Sequence, residues 1–193
     1  MVTQALAELG LDYTTFGMPN LPDGWQENQP PPELGEDPQV FYHFTSTVHL
    51  PAVLRFGIAK GDVPLTPTGG FNSPWLTSDP DFERQTWADA MPGDRPGDWA
   101  ANRPLHGRSV RLEVHVPRGD PSLHHWPVLA KAHDVEAGWY KLLATLGQQP
   151  DYSDAWYVYT GRIPPEWVQA VAYQTIDDAA SSGLYGLGKT SWR

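Results

Sequence analysis

The chain has 193 residues, 13 Lys plus Arg against 23 Asp plus Glu, a formal net charge of −10, and no cysteine. Without cysteine there is no disulfide framework, no cysteine-ligated zinc or iron–sulfur site and no thiol nucleophile. An acidic chain disfavours indiscriminate binding to phosphate backbones, and a local basic groove would be needed to admit a nucleic acid. No run approaches the ~18 apolar residues of a membrane span, and Met1–Tyr13 lacks the basic region and apolar core of a signal peptide, so a cytoplasmic protein with no membrane partner is expected. At this length one domain that buries roughly 70% of its unfolded surface is the simplest expectation. Twenty Pro and eighteen Gly predict many loops and short strands, while nine Trp argue for a real core.

In chain order, Met1–Gly17 has a helix-compatible pattern of Leu6, Leu9 and Leu11. Residues 18–38 carry six prolines among acidic and amide side chains, which predicts an extended arm, so that residues 1–39 form an N-terminal segment and the folded body covers 40–180. Val40–Phe44 reads as a strand that feeds a helix through Thr45-Ser46-Thr47, whose hydroxyls suit an N-cap. Pro51 is tolerated in the first turn, and Gly57 before Ile58 has the look of a C-cap, which ends the helix at Phe56 or Gly57. Gly61–Ser73 has turn chemistry throughout. An apolar step at Pro74–Thr77 follows, then Asp79-Pro80 introduces a helical stretch over Asp81–Ala90. Met91–Gly107 reads as a long surface loop of the kind that often carries function. Val110, Leu112, Val114 and Val116 alternate with Arg111, Glu113 and His115, the period of a strand with one buried face. Val135–Leu146 reads as helix, Trp156–Thr160 and Val168–Tyr173 as strands separated by Pro164-Pro165, and residues 181–193 as a tail with little to hold it. The resulting class is α+β.

Among groups that carry chemistry, His124 and His125 are adjacent, and no pair of histidines has the spacing of a metal grip, so no metal site is expected. No Gly-x-Ser-x-Gly elbow occurs, and Gly186-Leu-Gly188-Lys189-Thr190 lacks the spacer of a phosphate-binding loop. His43, at the end of a strand and followed by Thr45 and Ser46, gathers hydrogen-bonding groups in one place. Two readings stand side by side: the cluster meets a polar ligand, or His43 satisfies a backbone carbonyl while the hydroxyls cap the helix.

The segments Phe41-Tyr-His-Phe-Thr-Ser46, Leu50–Leu54 with Phe56-Gly-Ile58, and Ser73-Pro-Trp-Leu-Thr-Ser78 resemble the opening motifs of the ADP-ribosyltransferase superfamily, which includes poly(ADP-ribose) polymerase-like enzymes, DNA-modifying toxins and RNA 2′-phosphotransferases. Arg111–Val116, and Trp156–Tyr159 with Ile163–Trp167, resemble its later core strand and closing hairpin, so that the likeness runs from Val40 to Tyr173. The resemblance implies a split, mostly antiparallel sheet with a central cleft and peripheral helices. It also implies NAD as co-substrate and an enzyme that transfers ADP-ribose to a macromolecular acceptor, protein or nucleic acid, for example as a toxin or a phage–host conflict enzyme. Carried onto this chain, His43 would hydrogen-bond the adenosine ribose, and Thr45 or Ser46 the same ribose. Trp75, where a tyrosine is usual, would stack on nicotinamide, with Thr77 of the same motif among the NAD-binding residues; its alternative is a core Trp. Relatives place a glutamate before the late strand to steady the positive charge that develops as nicotinamide leaves. Here Asp154 is the nearest carboxylate, with Asp151 a turn further out and Glu166 in reserve, so His43 and Asp154 are the catalytic candidates. That departure keeps two alternatives open: an RNA 2′-phosphotransferase that recruits Arg84, Arg108, Arg111 or Arg162, and a silent module that binds NAD or a partner without turnover.

Overall fold

The alternation over Val110–Val116 is realised residue for residue: the four aliphatic side chains are fully buried and Arg111, Glu113 and His115 only partly so. The computed structural model describes residues 33–66, 69–85, 108–144, 153–174 and 190–191, all within the unit that starts at Pro31. The expected N-terminal helix, the Met91–Gly107 loop, Asp151 and most of the proline-rich arm and of the 181–193 tail lie outside the described residues.

The described elements are, in chain order, β1 (Gln39–Thr45), α1 (Leu50–Phe56), β2 (Asp62–Thr66), β3 (Gly69–Asn72), β4 (Trp75–Thr77), β5 (Val110–Val116), β6 (Leu123–His125), α2 (Trp126–Ala132), α3 (Ala137–Ala144), β7 (Trp156–Tyr159), β8 (Val168–Tyr173) and β9 (Thr190–Ser191). Single 3-10 turns occupy Phe82–Arg84, Ser153–Ala155 and Pro165–Trp167. Seven strands form one sheet in the order β6-β7-β4-β1-β5-β8-β9, and β2 and β3 form a separate hairpin. Every pairing in the sheet is antiparallel except that of β9 with β8. The class is therefore α+β with a mostly antiparallel sheet. No helix among the described residues is long and apolar enough to cross a membrane.

Local chemistry accounts for most of these limits. Pro51 sits in the first turn of α1, and Gly57 ends it with φ 82°, a left-handed conformation that glycine adopts without strain. A Cβ at Gly57 would also collide with the carbonyl oxygen of Ile163, where Ile58 and Ile163 exchange two backbone hydrogen bonds of 2.9 Å. Three expectations are corrected. The hydroxyls of Thr45, Ser46 and Thr47 do not cap α1: the N-cap is His49 and no side chain bonds there, since the helix starts three residues later than the hydroxyl cluster. Gly61–Ser73 is a hairpin, not a run of turns, because Gly70 lets β3 approach the Val63 carbonyl where any Cβ would clash. Of the helical stretch expected over Asp81–Ala90, the described part is one 3-10 turn, Phe82–Arg84, capped by the Asp81 carboxylate on the Glu83 amide, and residues 86–90 lie outside the described residues. In the tail, Thr190–Ser191 run parallel to Val171–Ala172.

The two faces of the sheet carry different cores. On one, Phe41, Leu76, Leu112 and Val171 pack with Leu50 and Val53 of α1 and with Ile58, Ile163 and Trp167. On the other, Val158 and Trp75 pack with Trp126 and Leu129 of α2, Leu143 of α3 and Val63 of the hairpin, while Phe44 meets Phe82 further along. The strands β1 and β5 pair over seven residues. By contrast, β1 and β4 share one pair, Tyr42 with Thr77, so the sheet is pinched between β6-β7-β4 and β1-β5-β8-β9.

Candidate functional site

His43 stands at that pinch. Its register partner on β5 is Leu112, which puts its side chain on the α1 face, and its Nδ1 lies 2.8 Å from the carbonyl oxygen of Trp75 on β4. A carbonyl only accepts, so Nδ1 carries the proton and Nε2 of the neutral ring is a bare acceptor. The side chain thus takes over a hydrogen bond where the β1–β4 ladder stops. Burial pushes the His43 pKa below the ordinary 6.5; the bond to Trp75 pulls the other way, and the charge of nearby His49 adds to the lowering. The ring is neutral at pH 7, and Nε2 makes no hydrogen bond among the described residues.

Thr45, on the same face as His43, and Ser46 are both buried. Ser46 is 2% exposed, and its Oγ has no hydrogen-bond partner among the described residues. A buried unpaired hydroxyl costs about 1–3 kcal/mol, and native proteins keep few such groups. The end of β1 thus carries an imidazole with an unengaged Nε2 and, three residues on, a buried hydroxyl without a partner among the described residues.

The structure does not bring Trp75 and Thr77 to this place. Leu76 belongs to the α1-face core, so its neighbours in β4 point to the opposite face. The Trp75 ring packs edge-on against Trp126 at 5.0 Å and Trp156 at 5.9 Å, the core alternative, and the Thr77 hydroxyl accepts a 3.0 Å hydrogen bond from the Asp79 amide. The Trp75 carbonyl, not its ring, accepts the hydrogen bond from His43.

Asp154 lies in the 3-10 turn that leads into β7, and its side chain is exposed. Strand β7 is two places from β1 and runs in the same direction. From strand spacing and rise, Asp154 is roughly 14 Å from His43, toward the opposite end of the sheet. The two groups cannot exchange a proton directly, but an extended ligand spans that separation. Between them, on the His43 face, Tyr157 sits 4.7 Å from Phe41 and 5.0 Å from His125, ring centre to ring centre. Tyr157 and His125 escaped the sequence reading. The signal for Tyr157 was the alternation within Trp156–Tyr159; His125 stands out in the sequence only as half of an adjacent histidine pair, and three residues of β6 are too few to show a period that would place it.

Glu166 is exposed in the turn before β8. Of the arginines considered for a phosphate pocket, Arg84 contacts Asp79 and Asp81. Arg108 donates to the Phe82 carbonyl, and Arg111 donates to the Pro80 carbonyl and lies over the Tyr42 and Phe82 rings. Arg111 shares its face with Phe44, away from His43. No three metal-ligating side chains gather among the described residues. A groove of about 520 Å3 lined by Leu65, Thr66, His133, Asp134, Glu136, Gly138, Trp139 and Leu142 contains none of the expected site residues. The chain matches no protein-family model and no curated protein.

Proposed function

We propose that the chain is an NAD-dependent ADP-ribosyltransferase that binds the adenosine ribose of NAD at the C-terminal end of β1. One observation carries this reading: among the described residues, His43 Nε2 and the buried Ser46 Oγ, three positions apart at the end of β1, are left without hydrogen-bond partners at the pinch between two sheet halves. The mostly antiparallel sheet pinched at that point agrees with the split sheet of the family that the β1 motif resembles. His43 accepts from a ribose hydroxyl through Nε2, and Ser46 gains the partner it lacks. Asp154, whose exposed carboxylate precedes β7, faces the positive charge that develops at the anomeric carbon as nicotinamide departs. Such stabilisation acts on the transition state more than on the ground state. Tyr157, on the His43 face, supplies the aromatic surface that Trp75 does not. The acceptor is a macromolecule, protein or nucleic acid.

A second reading, a module that binds NAD without turnover, is favoured by the engagement of Trp75 in the core and of Thr77 in a turn, which removes two expected ligand contacts. Nicotinamide release from NAD, with and without cell lysate, separates the two. The transferase releases nicotinamide, lysate stimulates the release, and Asp154→Asn lowers kcat by roughly 100- to 1000-fold with little change in KM. Binding without release supports the silent module, and absence of both overturns the NAD site.

A further inference from the structure

We propose that His125 is a positioning residue for the Asp154 carboxylate, an inference that rests on the transferase reading. A single 3-10 turn has poor internal hydrogen-bond geometry and does not hold its own shape. The turn Ser153–Ala155 is held instead by three separate elements, one per residue. Tyr140 of α3 donates its hydroxyl to Ser153 Oγ at 2.8 Å, the Ser78 amide after β4 donates to the Ala155 carbonyl at 2.9 Å, and His125 Nε2 donates to the Asp154 carbonyl at 2.9 Å. Ser153 is buried and Asp154 is exposed, so the turn is anchored on both sides while it presents one carboxylate to solvent.

Of the three anchors, only His125 acts on the peptide unit of Asp154 itself. That bond fixes the peptide plane on one side of the Asp154 Cα, and so the backbone from which the carboxylate projects. The His125 ring is in turn fixed: its backbone pairs with Tyr157 in the β6–β7 ladder, its ring lies 5.0 Å from that of Tyr157, and the residue opens α2 as its N-cap. The Asp154 carbonyl is near solvent, so water replaces the imidazole when it is removed and little stability is lost. The direction of the carboxylate, not the fold, depends on His125.

The test compares His125→Leu, which removes the donor, with His125→Gln, whose amide reaches the same carbonyl, and measures kcat and KM for nicotinamide release alongside Asp154→Asn. His125→Leu is expected to lower kcat by roughly 10- to 100-fold, the cost of a misplaced catalytic group, with KM within about twofold, and His125→Gln to recover most of the loss. Hydrogen exchange of the backbone amides at 153–157 is read in the same proteins, with faster exchange expected in His125→Leu and parent-like exchange in His125→Gln. Parent-like turnover in His125→Leu overturns the proposal, as does a loss of turnover in His125→Leu when Asp154→Asn remains active. If the parent releases no nicotinamide, the transferase reading fails by itself and exchange decides this one: unchanged protection in His125→Leu overturns the coupling of His125 to the turn, and lost protection sustains it.

Discussion

Replacing Ser46 by Ala is expected to stabilise the protein and at the same time to weaken NAD binding. The hydroxyl is buried, 2% exposed as a residue, and unpaired among the described residues; deleting it relieves the desolvation cost of an unpaired group, about 1–3 kcal/mol, and leaves no complementary group there orphaned. In a chain of this size each kcal/mol moves Tm by roughly 2–4 °C, so a rise of roughly 2–12 °C is expected in thermal unfolding without ligand. With NAD the sign reverses for affinity. The hydroxyl now has a partner, and the lost bond, about 0.5–1.5 kcal/mol, raises Kd by roughly 2- to 13-fold. Calorimetric titration and melting curves with and without NAD read both effects on one variant. A fall in Tm together with parent-like NAD affinity would refute the reasoning, since it would mean that the hydroxyl is satisfied within the protein and is not held in reserve for a ligand.

His43→Asn retains a donor in the position of Nδ1 and loses Nε2, so it is expected to keep a stability close to that of the parent while Kd for NAD rises by roughly 2- to 13-fold. His43→Ala also strands the Trp75 carbonyl, and melting should show an additional loss of about 1–3 kcal/mol; equal stability of the two variants would deny the His43–Trp75 bond its role. The lowered His43 pKa fixes the sign of the pH effect. The folded state binds this proton less readily than the unfolded state, so the stabilising contribution is complete above the ordinary 6.5 and declines as pH falls through the folded value. NAD titrations should accordingly hold their affinity from pH 8 to 6.5 and weaken only below, and a loss centred above 6.5 would contradict a neutral His43. Gly57→Ala combines positive φ with a clash at the Ile163 carbonyl, and denaturant unfolding should register a cost above about 2 kcal/mol; a neutral result would mean that the Ile58–Ile163 bridge yields easily.

Where neighbours in sequence impose the structure, the sequence sufficed. Alternation over Val110–Val116 determined β5 to the residue because a pleated backbone sends successive side chains to opposite faces. Pro51 and Gly57 bounded α1 by their backbone preferences. The α+β class, the strand ending at Tyr173 and, to within one residue at its end, the strand that starts at Trp156 follow from the same local rules. The β2–β3 hairpin, β6 and α2 were not legible in this way: Gly70 reads as a turn residue until Val63 lies against it, and Leu123–His125 is shorter than a period can show.

For the candidate site the division is sharper. The sequence singled out His43 and Ser46 by their place at a strand end, but only the tertiary structure showed that Nδ1 is engaged by Trp75, that Nε2 is bare and that the Ser46 hydroxyl lacks a partner. The resemblance put Trp75 and Thr77 in one NAD site with His43, whereas register put their side chains on the opposite face of the sheet. A shift of one residue in strand pairing exchanges the faces, and pairing is set by the packing of α1 and α2 against the two sides, which no local pattern encodes. The approach of His125 to Asp154 across 29 residues of chain has the same origin: the fold brings distant donors to one turn, and sequence spacing does not measure that distance.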